Sequence, residues 1–131
     1  MTAIPQTYLD LIADETRAFA FLGTIMPDGS PQVTPLWFNF KDGKIWINSA
    51  KGRTKDLNIR RQPFVALSIP DPKDPYRYLQ IRGKVVDIRE EGARSHIDEL
   101  SMKYQGIPYK ETPDQIRVIY IIEPINVSGK E

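Results

Sequence analysis

The octapeptide Asn48-Ser49-Ala50-Lys51-Gly52-Arg53-Thr54-Lys55 runs through small residues into three cations spaced two apart. Hydroxyls on Ser49 and Thr54, the cations, and backbone amides freed at a helix start are the groups that cradle a phosphate. A solvated basic turn would have the same composition. Residues 51–61 hold five basic side chains and one acid, a balance of +4. The other 120 residues hold 13 bases and 16 acids, a balance of −3, so the net charge of +1 hides an anion-attracting island.

Two further segments could face a ligand. In Pro31-Gln32-Val33-Thr34-Pro35-Leu36-Trp37 two prolines remove ladder donors from a strand, leaving either a backbone edge for a flat ligand or a barrel edge lined by core aromatics. Further on, Tyr78, Gln80 and Arg82 form a polar stripe on one strand face, which either meets solvent or lines a polar cleft. Other chemistries are excluded. With no cysteine there is no thiolate site or disulfide, and a single histidine rules out multi-imidazole metal centres. Gly-x-Gly-x-x-Gly and Gly-x-x-x-x-Gly-Lys are both absent. His96 is expected on a helix surface, without a catalytic role. Near-neutral charge argues against a dedicated nucleic-acid binder, the rival reading of a basic island among aromatics.

The elements that must position these residues follow from alternation and punctuation. A short helix is expected over residues 5–14 and strands over 18–26, 31–41 and 45–48, joined by Pro27-Asp28-Gly29-Ser30 and Lys41-Asp42-Gly43-Lys44 into a meander. A helix over Thr54–Arg61 ends before Pro63, and a strand covers 64–69. Three prolines make 70–75 a loop. In the long strand 76–89 the apolar phase flips at Gly83, which reads as a β-bulge. A helix over 90–104 stops at Gly106, and the last strand, 117–125, is apolar on both faces. The sum is one all-β dominated domain over 1–131, a six-stranded antiparallel barrel with peripheral helices, whose two-faced last strand calls for a homodimer. No apolar run approaches the ~20 residues of a membrane helix. Nothing at Met1-Thr2-Ala3-Ile4-Pro5 reads as a signal, so a cytoplasmic chain is expected.

Taken in this order, 24–37, 48–63 and 74–83 resemble the pyridoxamine 5′-phosphate oxidase-like split-barrel superfamily, and most of all its branch of F-420-dependent oxidoreductases. The resemblance implies a split barrel that forms a homodimer with a flavin-type cofactor in each intersubunit cleft. The cofactor would be coenzyme F-420, or flavin mononucleotide (FMN) as the alternative. Its phosphate end would lie at Lys51, Gly52, Arg53, Thr54 and Lys55 with Asn48 and Ser49. Its ring would lie along Gln32, Val33, Thr34, Pro35 and Leu36, with Tyr78 and Gln80 supplied by the partner subunit. The implied activity is hydride transfer to or from a small-molecule acceptor, with no side-chain acid or base assigned. True pyridoxamine phosphate oxidases carry an Arg-Gln pair where this chain has Arg77-Tyr78, and the C-terminal substrate-binding extension is lacking. Vitamin B6 oxidation is therefore not expected.

Overall fold

The computed structural model describes residues 3–110 and 113–130. Its strands are β1 (Ala20–Ile25), β2 (Pro31–Leu36), β3 (Phe38–Lys41), β4 (Lys44–Ala50), β5 (Phe64–Asp71), β6 (Asp74–Arg89) and β7 (Arg117–Lys130). The helices are α1 (Leu9–Ile12), flanked by single 3-10 turns, α2 (Thr54–Arg61) and α3 (Ala93–Gln105). All strands join one antiparallel sheet in the order β2-β1-β5-β6-β7-β4-β3. Its two ends, β2 and β3, are consecutive in the chain and separated only by Trp37. A sheet whose ends are tied by one residue must curl until they meet, while the seam between them carries no ladder. That is a split barrel.

The seam explains why seven strands stand where six were expected. Segment 31–41 breaks at Trp37, because β2 pairs with β1 and β3 pairs with β4 on the far end of the sheet. Both prolines of β2 sit on an edge strand, where a missing amide leaves no partner orphaned. The expected loop 70–75 is instead the tip of a hairpin. Strand β5 reaches Asp71 and β6 starts at Asp74, with a register shift at Pro70/Asp71 accommodating the prolines. The bulge at Gly83 is present: register shifts between Arg82 and Gly83 against β7. A Cβ there would meet Ile122 Cγ2 at 2.7 Å and the Glu123 carbonyl oxygen at 2.8 Å, so only glycine lets the strands approach.

The barrel interior is filled by Leu22, Phe38, Ile45, Ile47, Leu67, Ile81, Val118, Tyr120 and Ile122, among others. The opposite faces of β4 and β7 carry Trp46, Ile119 and Ile121, which pack beneath Ala93 of α3. Ile119 and Ile121 on the second face of β7 are thus covered within the chain by α3, while Ile125 further along the strand stays 51% exposed. Gly106 ends α3 in the left-handed conformation at φ 74°, its amide bonded to the Met102 and Ser101 carbonyls. Among the described residues, no helix is long and apolar enough to cross a membrane.

Candidate functional site

Helix α2 packs Ile59 into the barrel core and turns Leu57 to solvent, while Asp56 and Asn58 are buried at 1% exposure each. Polar anchors complete its docking. The Asp56 carboxylate accepts bonds from the Gly52 amide, the Arg60 Nε–H and the Tyr120 hydroxyl in the barrel. Burial opposes its ionisation, but these donors outweigh that and hold the carboxyl below its ordinary value. Asn58 donates to Thr24 Oγ1, and Arg61 donates to the Ile25 carbonyl, tying the helix to β1. Arg60 and Arg61 are therefore committed to structure.

With α2 fixed in this way, Arg53 and Lys55 project into a cleft of about 290 Å³ beside the barrel seam. Its walls are Thr34, Pro35, Leu36 and Trp37 from the seam edge, Asn48 from β4, Arg117 from β7, and Ile97, Leu100 and Tyr109 from α3 and the segment after it. Trp37 stacks on Tyr104 at 5.3 Å and 7°, and Tyr109 meets Trp37 edge-on at 6.5 Å. The Arg117 guanidinium lies 5.3 Å from the Tyr109 ring centroid and donates through Nε to Asn48 Oδ1 at 2.8 Å and through one terminal nitrogen to Gln115.

Among the described residues, no carboxylate pairs with Arg53, Lys55 or Arg117. Burial, then the charges of Arg53 and Arg117, push the Lys55 ammonium below its ordinary value. Burial likewise lowers the value for Arg117, with Arg53 and Arg94 adding repulsion. Three uncompensated cations around one concavity form a focused positive field, which an anion would relieve.

Of the residues singled out in the sequence, Thr34, Pro35, Leu36, Asn48, Arg53 and Lys55 meet in this cleft. Others do not. Lys51 is paired with Glu90 at 2.9 Å on the surface. The Gly52 amide is capped by Asp56 and the Arg53 amide by the Ala50 carbonyl, so two amides of the expected cradle are already used. Thr54 is exposed at the start of α2. Ser49 follows the inward alternation of Ile45 and Ile47, away from Asn48, and its buried Oγ has no partner among the described residues. Gln32 accepts from Thr24 and donates to Thr34, and Val33 points outward at 62% exposure. Tyr78 and Gln80 lie on the outer face of β6, outside the cleft.

His96, expected on a helix surface, is 4% exposed between Asn39 and Asn48. Arg117, Trp37 and Tyr109 were missed as site residues. The apolar run after Arg117 marks β7 as core, and nothing in the local sequence shows that its first residue turns into the cleft.

The chain belongs to the pyridoxamine 5′-phosphate oxidase family, whose profile matches residues 5–130. Among solved structures, an F420 reductase is similar at 35% identity with a TM-score of 0.84, covering 95% of this chain and 98% of that one. A conserved hypothetical protein from Mycobacterium tuberculosis (24% identity, TM-score 0.77, covering 98% of this chain and 86% of that one) shares the fold. So does General Stress Protein 26 from Bacillus anthracis (18% identity, TM-score 0.68, covering 93% of each chain). No curated protein matches the chain.

Proposed function

We propose that this chain is an oxidoreductase that binds a flavin-type cofactor, coenzyme F-420, with its phosphate end in the cleft of Arg53, Lys55 and Arg117. The observation that carries this reading is that set of three cations, with no acid paired to them among the described residues, placed beside the seam residues Thr34, Pro35 and Leu36. The donor set fits a phosphate: two guanidiniums and one ammonium offer charge-assisted bonds, Arg53 and Lys55 from the start of α2 and Arg117 from β7. Similarity to an F420 reductase at 35% identity favours F-420 over FMN. The +4 balance of residues 51–61 does not decide between them, because Lys51, Arg60 and Arg61 are engaged within the chain.

A bound deazaflavin supplies hydride transfer to or from a small organic acceptor. The protein's part is to bind and orient. Arg53 and Lys55 neutralise the anion, Asn48 fixes Arg117, and the Tyr109 ring packs against the Arg117 guanidinium.

The reading includes a homodimer, now on the outer face formed by β1, β5, β6 and the far end of β7 rather than on Ile119 and Ile121. Phe21, Phe64 and Ile125 are 39%, 48% and 51% exposed on the outer sheet face. There a groove of about 560 Å³ runs past Ile25, Phe64, Ala66 and Arg82. A second copy on this face would bring its Tyr78 and Gln80 stripe toward a neighbouring cleft.

Side-by-side titration of the purified chain with F-420 and FMN, followed by fluorescence, tests the assignment. Micromolar or tighter F-420 binding with turnover of reduced F-420 is expected. Tight FMN binding with weak F-420 binding would transfer the role to FMN, and binding of neither would end the cofactor reading.

A further inference from the structure

Arg117 is a buried cation at 7% exposure, and a buried charge without a partner is strongly disfavoured. A carboxylate in the cleft would satisfy it and also repel the anion. The structure solves this by a different route. Arg117 Nε–H donates to Asn48 Oδ1 at 2.8 Å. The Asn48 amide nitrogen donates to the Ala93 carbonyl at 2.9 Å and lies 3.1 Å from His96 Nδ1. Since an amide NH2 can only donate, Nδ1 must accept, and the His96 proton sits on Nε2. Nε2–H then donates to Asn39 Oδ1 at 2.9 Å, and the Asn39 amide nitrogen donates to Glu99 Oε2 at 2.6 Å. Every bond in the series points the same way, from the guanidinium to a half-exposed surface carboxylate that also pairs with Lys41. Aligned donors polarise one another, so the charges of Arg117 and Glu99 are linked through three neutral side chains.

We infer that Asn48, His96, Asn39 and Glu99 form a positioning relay that holds the Arg117 guanidinium toward the cleft without placing a negative charge there. The relay rests on reading the cleft as an anion site. His96 is a positioning residue, not a catalytic one. A neutral ring is what the geometry requires, because a doubly protonated imidazole would set Nδ1–H against the Asn48 amide. Burial agrees, holding the imidazole well below its ordinary value, at about 4.

The test uses the intact chain with F-420, FMN and inorganic pyrophosphate as probes, measured by calorimetry, alongside nitrogen-15 NMR of the ligand-free protein. Nitrogen shifts should show His96 protonated at Nε2 only, with the Arg117 Nε–H slow to exchange. His96→Phe should lose that protection and weaken whichever probe the wild type binds by about five- to tenfold, the loss of one well-placed hydrogen bond. His96→Gln, which can both accept and donate, should restore most of it. Should His96→Phe fail to fold, Glu99→Ala at the exposed end carries the test. Removing a negative charge would by itself tighten anion binding, so a weakening of about threefold supports the relay, and tightening overturns it. Unchanged binding and exchange in His96→Phe would overturn the relay while leaving the cofactor reading intact. No loss of binding in Arg117→Ala would overturn the reading of the cleft and the relay with it.

Discussion

Replacing Lys55 by methionine separates a cation that serves a ligand from one that serves the fold. Lys55 is half-buried among Arg53 and Arg117 with no acid paired to it among the described residues, and its ammonium is held below the ordinary lysine value by burial and by those two charges. In the ligand-free protein this group is therefore a destabilising element. A charge-assisted bond to phosphate contributes about 1.5–3 kcal/mol, so Lys55→Met should weaken F-420 or FMN binding by about ten- to a hundredfold. The same variant removes the repulsion and should raise the melting temperature of the ligand-free chain. Lys51→Met is the control. Its ion pair with Glu90 joins side chains that are 45% and 51% exposed, a contact that contributes about 0–1 kcal/mol to stability. Binding should change by less than about twofold. Calorimetry for affinity and scanning calorimetry for stability read both quantities. Equal losses of affinity at Lys51 and Lys55, or a lower melting temperature in Lys55→Met, would refute the reasoning.

Stability should fall on acidification through the histidine range. The folded His96 value of about 4 lies below the ordinary 6.5, so the unfolded chain takes up the proton first. Urea unfolding between pH 7 and pH 4 should show a loss approaching about 3 kcal/mol, and His96→Gln should flatten that part of the profile. Gly83→Ala drives a methyl against the Glu123 backbone and should cost about 1–3 kcal/mol by chemical denaturation; wild-type stability would show that the bulge relaxes freely. Sedimentation at micromolar concentration should give twice the 15.0 kDa chain mass. Phe64→Glu, on the exposed outer face, should shift it toward monomer, and a wild-type monomer throughout would remove the intersubunit part of the account.

What could be read from the sequence was whatever depends on neighbours along the chain. The Gly83 phase flip marked the bulge, Gly106 marked the end of α3, and the Pro-Asp-Gly-Ser and Asp-Gly turns marked the β1–β2 and β3–β4 hairpins. What could not be read depends on which elements meet in space. The break at Trp37 has no local signal, because Phe38 continues the apolar pattern while changing pairing partner from β1 to β4. That α3 covers Ile119 and Ile121 could not be read either, since the distribution of apolar residues does not say which helix lies over which strand. Within the basic island, charge alone could not separate Arg53 and Lys55, which pair with no acid among the described residues, from Lys51 and Arg60, which meet Glu90 and Asp56. Arg117 and His96 were hidden for the same reason: they are joined through Asn48, far away in sequence.

The central claim is that Arg53, Lys55 and Arg117 together hold the phosphate of the cofactor. A crystal structure of the chain soaked or grown with F-420 tests it most directly. Phosphate oxygens are expected at about 2.8 Å from nitrogens of all three side chains, with Lys51 still on Glu90 and the Asn48 to His96 bond retained. A phosphate bound at Lys51, Arg60 or Arg61 instead, with the cleft holding only solvent, would contradict it.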